Sequence, residues 1–181
     1  MTELAALRDE PFELLAELER RLQRARADVA TGAASFWVGL AFRLGDRWCV
    51  APRDDVREVI VPPPLTRVPG ARPWLLGVAN VRGSLLPVCD VQRLIGAEHN
   101  AMERNARVLV YNSDQVPAGF LVDEVAGYRQ FTPNEQRREL LGDAGPLGQF
   151  AMGGFVRDAQ PWLALSLDRI AGSDLFAHAG W

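Results

Sequence analysis

The chain has 181 residues, a formal net charge of -3 and a hydrophobic content of 48%, values typical of one ordinary globular domain or of two very small fused ones. All 20 basic residues are arginine, which excludes a Walker A phosphate loop, a Schiff-base enzyme and a response-regulator receiver site, because each needs a lysine. The arginines are spread among 23 acidic residues, and this argues against nucleic acid as the main partner.

The apolar runs and the cysteines bear on the cellular compartment. No apolar run approaches the ~18 residues that a membrane span needs, and Met1–Leu4 lacks the features of a signal peptide. Cys49 and Cys89 stand in separate strand-like runs and form no CxxC pair, which favours buried free thiols over a disulfide or a metal site. The sequence therefore predicts a protein that stays in the cytoplasm and does not insert into the membrane.

The first thirty residues predict a helix. Asp9-Glu10-Pro11 is a helix-start signal. Apolar residues then recur at alternating spacings of three and four: Leu15, Leu18, Leu22, Ala25 and Val29. This stripe covers about two heptads, which is short for a coiled coil, so we expect the helix to pack on its own domain in preference to a partner helix.

After Phe36 the pattern changes to short extended runs. Gly45-Asp46 separates two apolar runs and predicts a hairpin. Val56–Val61 predicts a further strand, with Glu58 in its middle, and Pro62–Pro64 ends that strand because proline cannot donate ladder hydrogen bonds.

Between Gly77 and Asp90 a single charged residue, Arg82, stands at a bend between two apolar runs. Its guanidinium stays charged, so it needs a carboxylate, carbonyl oxygens or water. Glu58 also interrupts an apolar strand, and a sheet that folds back could bring the two together. The pair would then either neutralise itself at the sheet edge or form the polar centre of a partner-binding surface, and the residues leave both interpretations open.

The second half of the chain repeats the first in outline. Val108–Tyr111 and Ala118–Val125 correspond to the first hairpin and its following strand, and residues 132–148 predict a partly helical connection. Two further strands are predicted at Gly153–Asp158 and Trp162–Ile170. Two such halves predict two small barrels at roughly 35–96 and 105–172, with a single larger barrel or sandwich as the alternative.

Candidate catalytic and metal sites are few. The two histidines, His99 and His178, belong to no metal-spaced cluster or nucleophile motif. Asp90, Asp123 and Asp168 each end an apolar run and could together hold a divalent ion, as in a small metal- or ligand-binding barrel enzyme. Capping of a turn or helix is the favoured role for each, so no catalytic, cofactor-binding or metal-binding residue is predicted.

Six short motifs follow one another along the chain: Phe42–Gly45, Val56–Val59, Thr66–Gly70, Gly77–Gly83, Leu86–Asp90 and Gly119–Val125. This ordered series, from about Ser35 to Ile170, resembles the CheW-like coupling domain of bacterial chemosensory arrays. The predicted N-terminal helix, the arginine-rich connection and the sequence Val-Ala-Asn-Val-Arg-Gly are most similar to the adaptors that control type IV pilus twitching motility.

The resemblance implies a mainly β fold of two intertwined five-stranded SH3-like β-barrels with short connecting helices. The CheW-like domain would cover 35–175, with a helical extension at 1–34 and a tail at 176–181. It also implies a non-catalytic adaptor without cofactors, located at membrane-associated chemoreceptor arrays. The adaptor would couple the cytoplasmic tip of a methyl-accepting chemoreceptor to the regulatory domain of a CheA-type histidine kinase; a flagellar chemotaxis adaptor is the alternative.

The resemblance also assigns the site. By analogy, Glu58 and Arg82 correspond to the family's partner-binding acid and arginine, with Val56 beside them in a receptor-contacting groove. Seven partner-binding residues are predicted in all: Val56, Glu58, Arg82, Gly83, Gly119, Val122 and Asp123. Minimal coupling proteins lack the N-terminal helix, so the family implies no role for residues 1–34.

Overall fold

The computed structural model describes residues 36–98 and 104–177. The helix predicted before residue 30 lies outside the described residues, as do His99 and His178. In the described part, ten strands follow one another along the chain: β1 (Trp37–Leu44), β2 (Arg47–Pro52), β3 (Val56–Ile60), β4 (Leu75–Val81), β5 (Ser84–Asp90), β6 (Arg107–Tyr111), β7 (Gly119–Val122), β8 (Glu124–Phe131), β9 (Ala151–Arg157) and β10 (Gln160–Leu165).

Among the described residues, seven short helices connect and follow the strands. Three are α-helical: α1 (Val91–Leu94), α2 (Leu167–Ala171) and α3 (Asp174–Ala177). Four are 3-10 turns, at Arg53–Asp55, Pro133–Glu135, Glu139–Leu141 and Gly145–Phe150. The last three confirm the partly helical connection predicted between residues 132 and 148. None of the helices in the described ranges is long and apolar enough to cross a bilayer.

The strands form two five-stranded sheets that share the chain. The first sheet has the order β8-β1-β2-β10-β9 and the second β3-β6-β7-β5-β4. β2 pairs in parallel with β10, with Cys49 opposite Leu163, so the first hairpin is bonded to the last. The fold is mainly β. It is intertwined because each sheet takes strands from both halves of the chain. The ranges 35–96 and 105–172 therefore do not coincide with the sheets, and the division into 1–34, 35–175 and 176–181 stays a prediction.

Three apolar clusters within the described ranges account for the strand sequences. One lies on the first sheet and contains Phe131 and Phe155, and a second lies on the second sheet and contains Val88 and Val108. The largest cluster takes residues from both sheets, among them Phe42 and Cys89. Successive side chains of a strand point to opposite faces, and in β1, β6 and β7 most residues of both faces are buried. This is why these three strands carry nearly continuous apolar runs instead of alternating patterns.

Both cysteines are free and fully buried, as predicted. Burial raises the pKa of the Cys49 thiol to about 12, and burial has the same effect on the pKa of the Cys89 thiol, also to about 12. Since the thiolate is the reactive form of cysteine, these side chains behave as small core residues.

The structure fixes the extent of two predicted runs. Ala118–Val125 is divided between two strands, because the chain leaves the second sheet at Asp123 and β8 joins the first sheet. The strand predicted to reach Ile170 ends at Leu165. The hydroxyl of Ser166 accepts the Arg169 N–H at 3.2 Å and caps α2, so a capping residue ends the strand although the apolar run continues.

Candidate functional site

Arg82 lies at the tip of the β4–β5 hairpin, as predicted. Val81 pairs with Ser84, leaving a two-residue turn in which Arg82 has φ 52° and Gly83 has φ 86°. Positive φ at both positions is what a type I′ turn requires, and this turn matches the twist of the flanking strands. The Gly83 N–H donates to Asn80 Oδ1 at 2.9 Å, which holds the turn in place. Gly83 therefore serves the backbone, and Arg82 presents its side chain at a fixed point.

Arg82 and Glu58 form an ion pair across the edges of the second sheet. Arg82 Nη2 lies 2.7 Å from Glu58 Oε2, which confirms the prediction that the two charges meet. β3, which carries Glu58, is one edge strand, and β4, which leads into Arg82, is the other. The Arg82 side chain is 80% exposed and the Glu58 side chain 23%. The pair therefore links two sheet edges and leaves most of the guanidinium accessible.

A β-bulge at Arg57 determines which way Glu58 faces. Val56 lies opposite Tyr111 and Glu58 lies opposite Val110, so Arg57 is the extra residue. Because of this shift, Val56 joins the large shared cluster whereas Ile60 packs on the cluster of the second sheet. Without the bulge, the period of two would place both on one face.

Glu58 and Arg82 border a groove of about 200 Å³. Its lining includes the apolar residues Val81, Leu86 and Val110. Leu85, which is 69% exposed, stands at the same groove. An apolar surface beside a fixed charge supplies both contact area and orientation for a protein partner.

Val56 lies in a different environment from the one that the receptor-groove assignment implies. Its side chain is buried, with 7% exposure, inside the shared cluster. In this conformation it offers no surface to a partner. It can influence the groove only through β3, whose position it helps to fix.

Gly119 and Val122 are also buried. A Cβ on Gly119 would lie 2.7 Å from Val108 Cγ1, closer than real Cβ atoms approach, so glycine is needed there for packing. Val122 belongs to the shared cluster. The partner-binding role of both residues stays a prediction, and their surroundings show a packing role.

Asp123 is a buried acceptor where the chain passes from β7 to β8. Its Oδ2 accepts the Gly45 N–H at 2.6 Å, and both carboxylate oxygens lie 3.1 Å from Gln92 Nε2. Arg43 Nη1 lies 3.8 Å from Oδ2. One carboxylate thus ties the β1–β2 turn and α1 to the sheet crossover. Its partner-binding role also stays a prediction.

The other strand-end aspartates have separate roles. Asp90 Oδ1 accepts the Arg93 N–H at 3.1 Å and caps α1, as predicted. Asp168 does not cap α2; its Oδ1 accepts the Tyr111 O–H at 2.6 Å. Burial, together with this hydrogen bond, raises the pKa of Tyr111 to about 12. Among the residues that the structure describes, no group of three or more His, Cys, Asp and Glu side chains is arranged to hold a metal ion.

Asp55 is a structural residue that the sequence analysis missed. Its Oδ2 accepts the Leu167 N–H at 2.9 Å, at the start of α2. Burial raises the pKa of this carboxyl. The Asp55–Leu167 hydrogen bond connects the segment before β3 to α2, which follows the last strand of the first sheet. The Tyr111–Asp168 hydrogen bond connects β6 to the same helix. The partners are more than 50 residues apart in sequence, so no local pattern could have indicated them.

Comparison with known proteins gives consistent matches. The profile of the CheW-like domain matches residues 38–174. Protein PilI of Pseudomonas aeruginosa is 39% identical over 163 residues, covering 89% of this chain and 91% of PilI. Chemotaxis protein CheW of Thermotoga maritima is 27% identical over 131 residues, covering 72% and 85%. The crystal structure of the scaffolding protein TtCheW from Thermoanaerobacter tengcongensis has a TM-score of 0.63 at 21% identity, covering 72% of this chain and 89% of that one, and supports the fold.

Proposed function

The chain belongs to the CheW-like domain family, and from this we propose that it is a non-catalytic adaptor coupling a chemoreceptor to a CheA-type histidine kinase. The pathway we propose is the chemosensory system that controls type IV pilus twitching motility. The observation that carries this proposal is the 39% identity to PilI over 89% of the chain. The predicted partners are the cytoplasmic tip of a methyl-accepting receptor and the regulatory domain of the kinase.

An adaptor acts by binding, so its geometry has to present surfaces. The groove beside Glu58 and Arg82 combines apolar area with an accessible fixed charge, which suits the proposed receptor contact. Leu86 and Val110 of the groove wall belong to the buried cluster of the second sheet, which supports the groove from beneath. A receptor state could then reach the kinase as a shift in the population of its active form, because a partner that prefers one state changes the equilibrium.

The second candidate is a flagellar chemotaxis adaptor. The match to the CheW of Thermotoga maritima favours it over any enzyme. The metal-binding alternative finds no support in the described residues, since Asp90, Asp123 and Asp168 each bond to different partners. In either adaptor role, the chain would be held at membrane-associated receptor arrays through its receptor partner.

Co-purification from the native cell tests this proposal. With the chain as bait, we expect a CheA-type kinase and a chemoreceptor of the pilus system to be recovered together. Recovery of the flagellar kinase instead would contradict the pilus assignment. Recovery of neither kinase nor receptor, from cells that express both, would contradict the adaptor role.

A further inference from the structure

A second cleft, of about 290 Å³, lies at the other end of the β4–β5 hairpin from Arg82. Three arginines line it, Arg67, Arg72 and Arg93, and we call it the arginine cleft. Its apolar wall includes Val68, Leu75 and Leu76. The cleft and the Glu58–Arg82 groove have no lining residue in common. Leu76 lines the cleft and Val81 lines the groove, and the usual rise of a strand places these two residues about 17 Å apart along β4.

The charge of the cleft differs from that of the protein. The sequence as a whole carries a net charge of -3, yet three cations line this one surface. Arg93 Nε lies 3.3 Å from Asp90 Oδ2, and that carboxylate is itself buried. Arg67 and Arg72 are exposed and form no ion pair with any residue in the described ranges. Like charges around one cleft repel each other, and an anion placed among them relieves that repulsion.

The backbone that carries Arg67 and Arg72 is fixed at both ends. Thr66 and Val78 exchange two hydrogen bonds, each of 2.9 Å, just before Arg67. At the other end of the segment, the Arg72 carbonyl accepts the Leu75 N–H at 3.0 Å, and the Trp74 carbonyl accepts the Asp90 N–H at 2.8 Å. The segment between is therefore anchored to both strands of the hairpin. Little backbone ordering is left to be done when a ligand binds, and this favours affinity.

We propose that the arginine cleft is a second docking surface, and that its occupant is a segment of a partner protein in which a carboxylate stands beside apolar side chains. Guanidinium groups bind carboxylates through paired hydrogen bonds, and the apolar wall accepts the neighbouring side chains. The inference rests on the proposed function, because an adaptor that bridges two partners needs two surfaces that do not overlap. The groove beside Arg82 supplies one, and this cleft supplies the other.

The test compares three variants of the full chain against the purified receptor tip and the purified kinase regulatory domain, each measured separately by calorimetry. They are the double variant Arg67→Glu/Arg72→Glu, the groove variant Arg82→Glu, and the control Arg129→Glu/Arg138→Glu. The control makes the same charge change at two exposed arginines outside both clefts. We expect the cleft variant to weaken one partner by about tenfold or more, and that partner to be the one that Arg82→Glu leaves bound.

The possible results distinguish a failure of the second docking surface from a failure of the proposed adaptor function. If the cleft variant binds both partners as the control does, while Arg82→Glu weakens one, the inference is wrong and the adaptor role stands. If the cleft and groove variants weaken the same single partner, the two are not separate docking surfaces and the inference is again wrong. If the unaltered chain binds neither partner, the proposed function fails, and the inference fails with it.

Discussion

Replacing Arg82 by glutamate is expected to weaken binding of the receptor tip by about thirtyfold or more, equivalent to about 2 kcal/mol, while the chain stays folded. The Arg82 side chain is 80% exposed, so its ion pair with Glu58 contributes only about 0–1 kcal/mol to the free energy of unfolding. The same guanidinium is the accessible charge at the groove, so its reversal acts on a partner much more than on the fold.

Binding by calorimetry and thermal unfolding measure the two effects separately. Arg129→Glu serves as the matched control, since Arg129 is an exposed arginine outside the groove. The charge swap Glu58→Arg/Arg82→Glu restores an ion pair with the opposite orientation. If the pair only stabilises the sheet edges, the swap recovers binding; if Arg82 itself contacts the partner, the swap leaves binding weak. If the Arg82→Glu variant binds the receptor tip as the unaltered chain does, the groove is not the receptor-binding surface.

Replacing Asp123 by alanine is expected to lower the free energy of unfolding by about 2–4 kcal/mol. The carboxylate accepts hydrogen bonds from the Gly45 N–H and from Gln92 Nε2, and it lies 3.8 Å from Arg43 Nη1. Its removal leaves half-buried donors without their acceptor at the place where the chain changes sheets. The loss is expected in stability rather than in partner affinity, because the side chain is only 4% exposed.

Urea unfolding followed by tryptophan fluorescence checks this expectation. Asp114→Ala is the control, because the Asp114 side chain is 96% exposed and pairs only across the surface with Arg57. It should lower the free energy of unfolding by no more than about 1 kcal/mol. A folded Asp123→Ala protein of unchanged stability that no longer binds a partner would show that Asp123 makes the contact itself, as the family resemblance first suggested.

The ion pair at the groove could be predicted because charge is costly beside buried strands. Glu58 and Arg82 each interrupt an otherwise apolar pattern, and each needs the other or water. The turn at Gly45-Asp46 could be predicted as well, since glycine followed by aspartate between apolar runs favours a hairpin. Both predictions depend on local chemistry, and the structure confirms both.

What the sequence left open depends on contacts between distant segments. The bulge at Arg57 inverts the faces of Val56 and Ile60, and no residue type at that position marks it. Asp123 ends β7 and sends the chain to the other sheet, although the apolar pattern continues through it. The arginine cleft takes its shape from the bridge between Thr66 and Val78, which local patterns do not indicate. Motif resemblance placed Val56, Gly119, Val122 and Asp123 in the site, but it could not distinguish a buried supporting residue from a contact.

In the proposed function, this chain holds receptor and kinase together. The direct measurement is the amount of purified kinase regulatory domain retained on immobilised receptor tip, with and without the full chain. We predict that retention rises several-fold when the chain is added, and that it saturates as the chain occupies the receptor. If the chain binds each partner alone but does not increase retention, because the two compete for one surface, the adaptor account is contradicted.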